Sequence, residues 1–249
     1  MRKTNWDKVA HWYEKKVGSQ GSDYHEKVIF PVITKLLNLQ KSDKFIDIAC
    51  GQGALLNHLA SAGAEMMGID ASQKLIDFAK KRNPKIKLLC LDATDLSSIE
   101  SNQFDAATCV LALQNIENFQ NAIKEASRVL KKGGRFVLAL NHPCFRIPRQ
   151  SGWGFDEKRK LSFRRIDSYM SEQNIPIQMH PGAKPDVYTW TFHRPISTYI
   201  NLLGNNNLFV SHFEELLTHR KNQQIKSQKA ENRAKQEIPL FLIISTIKQ

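Results

Sequence analysis

The stretch FIDIACGQGALLNHLA, Phe45 to Ala60, constrains this chain more than any other. A short apolar run of strand length holds a carboxylate and leads into two glycines, and a helix-period pattern follows at once. A strand that turns into a helix through glycine is the opening unit of a βαβ fold. The alternation recurs downstream. Apolar runs at Ala64 to Asp70, Ile86 to Asp92, Phe104 to Leu111 and Arg135 to Asn141 alternate with helix patterns at Ala54 to Ala62, Ser72 to Arg82 and Phe119 to Lys131. Ser72 supplies an N-cap and Gly133-Gly134 a helix stop. Repeated strand and helix predict an α/β fold, a doubly wound parallel sheet whose ligand crevice lies at the carboxyl ends of the strands.

Composition limits what such a sheet can serve. With 249 residues, 41% of them hydrophobic, the chain buries a full core without disulfides or a structural metal. No signal-peptide order opens it, and apolar runs such as Leu240 to Ile244 are too short to span a bilayer, so a cytoplasmic protein is expected. Cys50, Cys90, Cys109 and Cys144 lack zinc spacing, and the first three read as small buried hydrophobes. The formal charge is +12; residues 141 to 249 carry 16 basic against 9 acidic side chains, including the run Arg220, Lys221, Lys226, Lys229, Arg233 and Lys235. Without interleaved aromatics to stack on bases, that run reads as a solvated helix face.

Electrostatics then selects the ligand. A dinucleotide wants GxGxxG, and here Gly51 and Gly53 are followed by Leu56. Asp47 would also face its phosphates, a repulsion of about 4 kcal/mol at 4 Å and an effective dielectric near 20. A cationic nucleoside without phosphate, S-adenosylmethionine, turns the same carboxylate into an attractive partner. Asp70 then stands where a carboxylate accepts from ribose hydroxyls, and Asp92, with the Ala93 amide beside it, where one meets the adenine. Asp105 opens its strand instead.

The motifs FIDIACGQG, GIDAS, LDATDL, FDAATCVLALQNIEN and RVLKKGGRFVLALNHP resemble those of class I S-adenosylmethionine-dependent methyltransferases, in particular the ubiquinone and menaquinone biosynthesis branch. The resemblance spans Asp43 to Pro143. It implies a seven-stranded Rossmann-like sheet, order 3-2-1-4-5-7-6, last strand antiparallel, with Phe209 to Phe213 and Pro239 to Lys248 as strands six and seven. It also implies cofactor contacts at Asp47, Gly51, Gln52, Gly53, Asp70, Ala71, Asp92, Ala93 and Val110, with S-adenosylhomocysteine as product. Ala49 replaces the first glycine of the usual loop.

Two decorations are expected around the methyltransferase domain at 41–249. Residues 1–40 read as a helical lid, in which Tyr24, His25 and the Ser19 to Ser22 turn close over the cofactor or Trp6, Trp12 and Tyr13 pack against the sheet. An insertion at 144–194, too long for a plain connection, carries aromatics and Arg146, Arg149, Arg164, Arg165 and Arg194, suited to an apolar substrate cap that grips an anionic or planar acceptor. His142 and His193 are the candidate general bases, with Asp156 and Asp167 as alternatives. NHPCF, Asn141 to Phe145, resembles the Asn-Pro-Pro-aromatic motif of amino-methylating enzymes, but it follows the fifth strand where theirs follows the fourth. The expected function is methyl transfer to an aromatic or anionic small molecule by a monomer or homodimer. An RNA methyltransferase and a non-catalytic cofactor-binding protein are the alternatives.

Overall fold

The computed structural model describes residues 6–18, 20–178, 188–221 and 228–249. The expected Ser19 and Lys226 therefore lie outside the described residues, as does part of the insertion.

A seven-stranded sheet organises the chain. Its strands are β1 (Lys44–Ile48), β2 (Glu65–Asp70), β3 (Lys87–Cys90), β4 (Phe104–Val110), β5 (Leu130–Asn141), β10 (Leu208–Leu216) and β11 (Phe241–Lys248). They stand in the order β10-β11-β5-β4-β1-β2-β3, with β11 antiparallel to both neighbours and the five from β5 to β3 parallel. In sequence order this is the expected 3-2-1-4-5-7-6. Because the chain winds from β1 to β3 on one side and resumes at β4 on the other, the strand order reverses between β1 and β4. A crevice must open there at the carboxyl ends.

Period two divides the apolar side chains between two cores. Ile46, Phe136, Leu138, Leu242 and Ile244 face one side, where α5 (Phe119–Val129) and α6 (Ile196–Asn205) cover them. Phe45, Val137, Ala139, Phe241 and Ile243 face the other, under α2 (Phe30–Leu37), α3 (Ala54–Leu59) and α4 (Gln73–Arg82). Burial on both faces explains why the central strands read as near-continuous apolar runs.

Helix ends follow their caps. The Ser72 side chain accepts from Leu75 N, while Lys80, Lys81 and Arg82 in the last turn of α4 complement its dipole. The Gly133-Gly134 stop is a correction: α5 ends at Val129, and Leu130 at φ −75°, ψ 143° already starts β5, so the glycines lie within the strand. Cys90 is a second correction, being exposed on the edge strand β3.

Around the sheet, the N-terminal segment supplies α1 (Ala10–Val17) ahead of α2. The insertion between β5 and α6 forms two antiparallel hairpins, β6 (Ser151–Asp156) with β7 (Leu161–Ile166) and β8 (Gln173–Gln178) with β9 (Tyr188–His193). The helix α7 (Gln228–Lys235) packs against β7 and carries Lys229, Arg233 and Lys235 of the basic run. Among the described helices none is long and apolar enough to cross a membrane.

Glycine 53 joins the first strand–helix unit to α4. It sits at φ +77°, and a Cβ there would stand 2.6 Å from Asn83 Nδ2 and 3.2 Å from Ala79 Cβ. Gly53→Ala is expected to destabilise the protein by about 2 kcal/mol or more, from left-handed strain plus overpacking. Urea unfolding checks it; an unchanged midpoint would mean that α4 is not packed against the turn.

Candidate cofactor and active site

A cleft opens at the carboxyl ends of β1 to β4, where the strand order reverses. Its walls come from four loops and the N-terminal segment. Ala49 and Gly51 line it from the turn after β1, Asp70 and Ala71 from β2, Asp92, Ala93 and Thr94 from the loop after β3, and Val110 to Ala112 with Asn115 to Glu117 from the exit of β4. Trp6 and Tyr13 close one side.

Asp70 holds the cleft together. One carboxylate oxygen accepts from Gly51 N at 2.9 Å and the other from Ser72 N at 2.9 Å. The glycine turn and the start of α4 are thereby tied to one side chain. Each oxygen keeps further acceptor capacity for a ligand. Burial pushes the Asp70 pKa up to about 6, and the two N–H donors resist that rise. Tyr13 is pushed up to about 12, by burial and then by the charge of Asp70. On the third strand's exit, Asp92 Oδ1 accepts from Thr94 N at 3.0 Å and from its hydroxyl at 2.8 Å.

The N-terminal segment is latched over the turn. Asp7 accepts from the Ser72 hydroxyl and from Lys74 N, Glu14 pairs with Arg82, and Gln52 Nε2 donates to Gly18 O. Arg82 also donates to Gln52 O at 2.9 Å, so the latch reaches the glycine turn itself. Opposite, the β9 hairpin fixes the exit of β4. The Thr191 hydroxyl donates to Asn115 Oδ1, and Arg194 donates to the Ile116 and Glu117 carbonyls at 3.1 and 2.9 Å. Backbone strain gathers at the same place: Ala49 at φ +59° and Leu111 at φ +52° are non-glycine residues in the left-handed region, and both line the cleft.

The structure brings Gly51, Asp70, Ala71, Asp92, Ala93 and Val110 of the expected contacts to the cleft. Others stand apart. Asp47 is buried beneath the turn and accepts from the Thr108 hydroxyl at 2.7 Å; burial lifts its pKa to about 7, so it is not an open counter-ion. Gln52 serves the latch and Gly53 the packing of α4. Tyr24 is displaced from the cofactor side altogether, its hydroxyl 2.9 Å from Thr218 Oγ1 and its ring edge-on to Phe241.

Both candidate bases are engaged elsewhere. His142 Nδ1 accepts from the N–H groups of Cys144 and Phe145, so its Nε2 carries the proton toward Glu215 Oε1 at 2.7 Å. His193 Nε2 donates to Tyr169 O at 2.7 Å. Burial lowers both pKa values, and neither ring lines the cleft. Asp156 caps the β6–β7 turn, and Asp167 pairs with Arg165. Arg220 of the basic run is bound to Asp23 at 3.0 Å. Sequence reasoning had not assigned Thr94, Leu111, Asn115 or Glu117 to a site, and Trp6 and Tyr13 were only packing candidates. No periodicity marks such loop residues.

The chemistry of the lining decides the ligand. Asp70, Asp92 and Glu117 line the cleft with Leu75, Leu91 and Ile116, and among the described residues no lysine or arginine lines it. Apolar surface for a base and carboxylates for hydroxyls and cations fit S-adenosylmethionine. Comparison with known proteins agrees, residues 46–138 matching the methyltransferase domain family. Residues 46–138 thus carry a methyltransferase domain. The domain is 33% identical over 113 residues to a demethylmenaquinone methyltransferase of Paenarthrobacter aurescens, covering 45% of this chain and 44% of that protein. A demethylmenaquinone methyltransferase of Streptomyces avermitilis is 32% identical over 160 residues, covering 64% and 62%. The chain thus matches less than two thirds of the length of either relative. The crystal structure of an S-adenosylmethionine dependent methyltransferase from Mesorhizobium loti superposes with a TM-score of 0.69 at 25% identity, covering 88% of this chain and 96% of that one.

The buried carboxylates set a pH dependence for the ligand-free protein. Asp47 and Asp70 have folded pKa values above the unfolded value near 3.9, so between about pH 4 and pH 7 the folded state binds more protons and stability falls as pH rises. The slope is at most about 1.4 kcal/mol per pH unit for each group. Asp47→Asn is expected to flatten the decline in chemical-denaturation midpoints from pH 5 to 8. A decline unaltered by that substitution would mean that Asp47 ionises as readily folded as unfolded.

Proposed function

We propose that this protein transfers a methyl group from S-adenosylmethionine to a small-molecule acceptor. The carrying observation is the cleft at the glycine turn that Asp70, Asp92 and Glu117 line, with Asp70 bonded to the turn itself. When bound, S-adenosylmethionine supplies a methyl group on a sulfonium, transferred by in-line displacement with S-adenosylhomocysteine as product. The chain's own task is binding, orientation and exclusion of water. Asp70 would accept from the ribose hydroxyls, the loop Asp92 to Thr94 would face the base, and Leu75, Leu91 and Ile116 would flank it. Trp6 and Tyr13, held by the Asp7 and Glu14 latches, would cover the cofactor. With His142 and His193 engaged by Glu215 and Tyr169, catalysis rests on positioning, and an acceptor that is already nucleophilic suits the site. The relatives' name, demethylmenaquinone methyltransferase, supports a small molecule over nucleic acid or protein. The most direct trial of the acceptor class is incubation with methyl-tritiated S-adenosylmethionine and separated cell fractions. Label is expected in the small-molecule fraction; label confined to RNA or protein would overturn the reading.

Two expectations concern Asp70. Asp70→Asn should weaken S-adenosylmethionine binding by about 1.5–3 kcal/mol, roughly 10- to 100-fold, by removing a charged acceptor. For the parent protein, affinity should rise between pH 5 and 7 as Asp70 ionises through its pKa of about 6, and level off above. Calorimetry across that range checks both, and a flat profile would show that the cofactor ignores this carboxylate.

A further inference from the structure

The acidic cleft ends at β4, and one strand further along the same edge the charge changes sign. Leu111 N, in the cleft wall, donates to Ala139 O of β5 at 2.8 Å, and two residues on, at the end of that strand, Asn141 accepts from Arg146 Nη1 at 2.7 Å. The Arg146 guanidinium is half-buried and lies 5.1 Å above the ring of Phe241, the residue paired with Asn141 across β5 and β11. The Tyr24 ring stands edge-on to Phe241 at 5.4 Å. A second guanidinium, Arg164, acts on Arg146 and is itself held by Phe145 O and Ser151 Oγ, while a third, Arg220, lies 4.7 Å over the Tyr24 ring and is paired with Asp23.

Arg146 makes no ion pair with any acid among the described residues, and burial together with Arg164 presses its pKa down. A half-buried cation beside a like charge, without an acid to offset it, is unfavourable for the folded chain alone. Its placement is nonetheless built. The NHPCF turn brings it there: His142 Nδ1 accepts the Cys144 and Phe145 N–H groups, His142 O accepts from Arg146 N at 2.9 Å, and Glu215 fixes the other ring nitrogen.

We infer that Arg146 binds an oxyanion on a planar aromatic acceptor, which lies beside the half-buried Tyr24 at the edge of the sheet next to the cofactor cleft. The guanidinium fork matches a carboxylate or phosphate, and the partly exposed Tyr24 ring offers apolar surface beside it. His142 is a positioning residue for this turn. The inference rests on the methyltransferase reading, since it assigns the acceptor side of the same site.

The test uses the full chain saturated with S-adenosylhomocysteine and titrated, by saturation-transfer NMR, with benzoate, phenyl phosphate and neutral benzamide. At least one anion should bind, and benzamide should bind at least about tenfold more weakly. Arg146→Gln should weaken anion binding by about 10- to 100-fold with unchanged S-adenosylhomocysteine affinity, and Arg146→Lys should recover part of it. The ligand-free melting temperature of Arg146→Gln should equal or exceed that of the parent, a result that a structural arginine would not give. Benzamide binding as well as benzoate, no anion binding, anion affinity indifferent to Arg146, or a lowered melting temperature in both variants would each overturn the inference. Failure of S-adenosylhomocysteine to bind the parent would bring down the methyltransferase reading and this inference with it, whereas anion failure on a cofactor-loaded protein defeats the inference alone.

Discussion

One carboxylate couples the parts of this molecule that matter for its chemistry. Asp70 ends β2 and spends one oxygen on the Gly51 amide and the other on the Ser72 amide. The first bond shapes the turn after β1; the second fixes the entry to α4, whose Ser72 cap in turn receives the Asp7 latch of the N-terminal segment. Strand, turn, helix and N-terminal segment are thus referred to a single side chain. Because that side chain is buried, its charge is costly to the empty protein and valuable to a cationic or hydroxyl-bearing ligand.

The rest of the fold distributes load around that point. Period-two packing puts β1, β2, β4 and β5 between two apolar cores, so their ends are held firmly where loops must be irregular. Left-handed Ala49 and Leu111 are tolerated because the surrounding sheet over-determines them. The end of the insertion grips the β4 exit through Thr191 of β9 and Arg194 just after it, which braces the cleft-lining residues Asn115 to Glu117 from behind. Charge then divides the edge of the sheet, carboxylates over β2 to β4 and guanidinium groups beyond β5.

Much of this was legible in the sequence for simple reasons. Strand runs ending in Asp70 and just before Asp92, glycines at the first turn, and the Ser72 cap are local signals, and local signals survive folding. What stayed hidden depends on contacts between distant segments. The burial of Asp47 under Thr108 arises from register between β1 and β4, which no single strand reveals. The engagement of His142 by Glu215 joins residues 73 apart. Tyr24 was expected over the cofactor, but the approach of Thr218 and Phe241 draws it to the other side of the edge. The Gly133-Gly134 pair misled because a glycine at φ +78° can bend a strand as readily as it ends a helix.

The central claim is that the cleft around Asp70 binds S-adenosylmethionine. Calorimetric titration of the purified protein with S-adenosylmethionine and S-adenosylhomocysteine, with NAD as control, tests it most directly. Saturable one-site binding of both sulfur ligands with none of NAD is the result this account requires. A folded protein that binds neither sulfur ligand, or that binds NAD in their place, would contradict it.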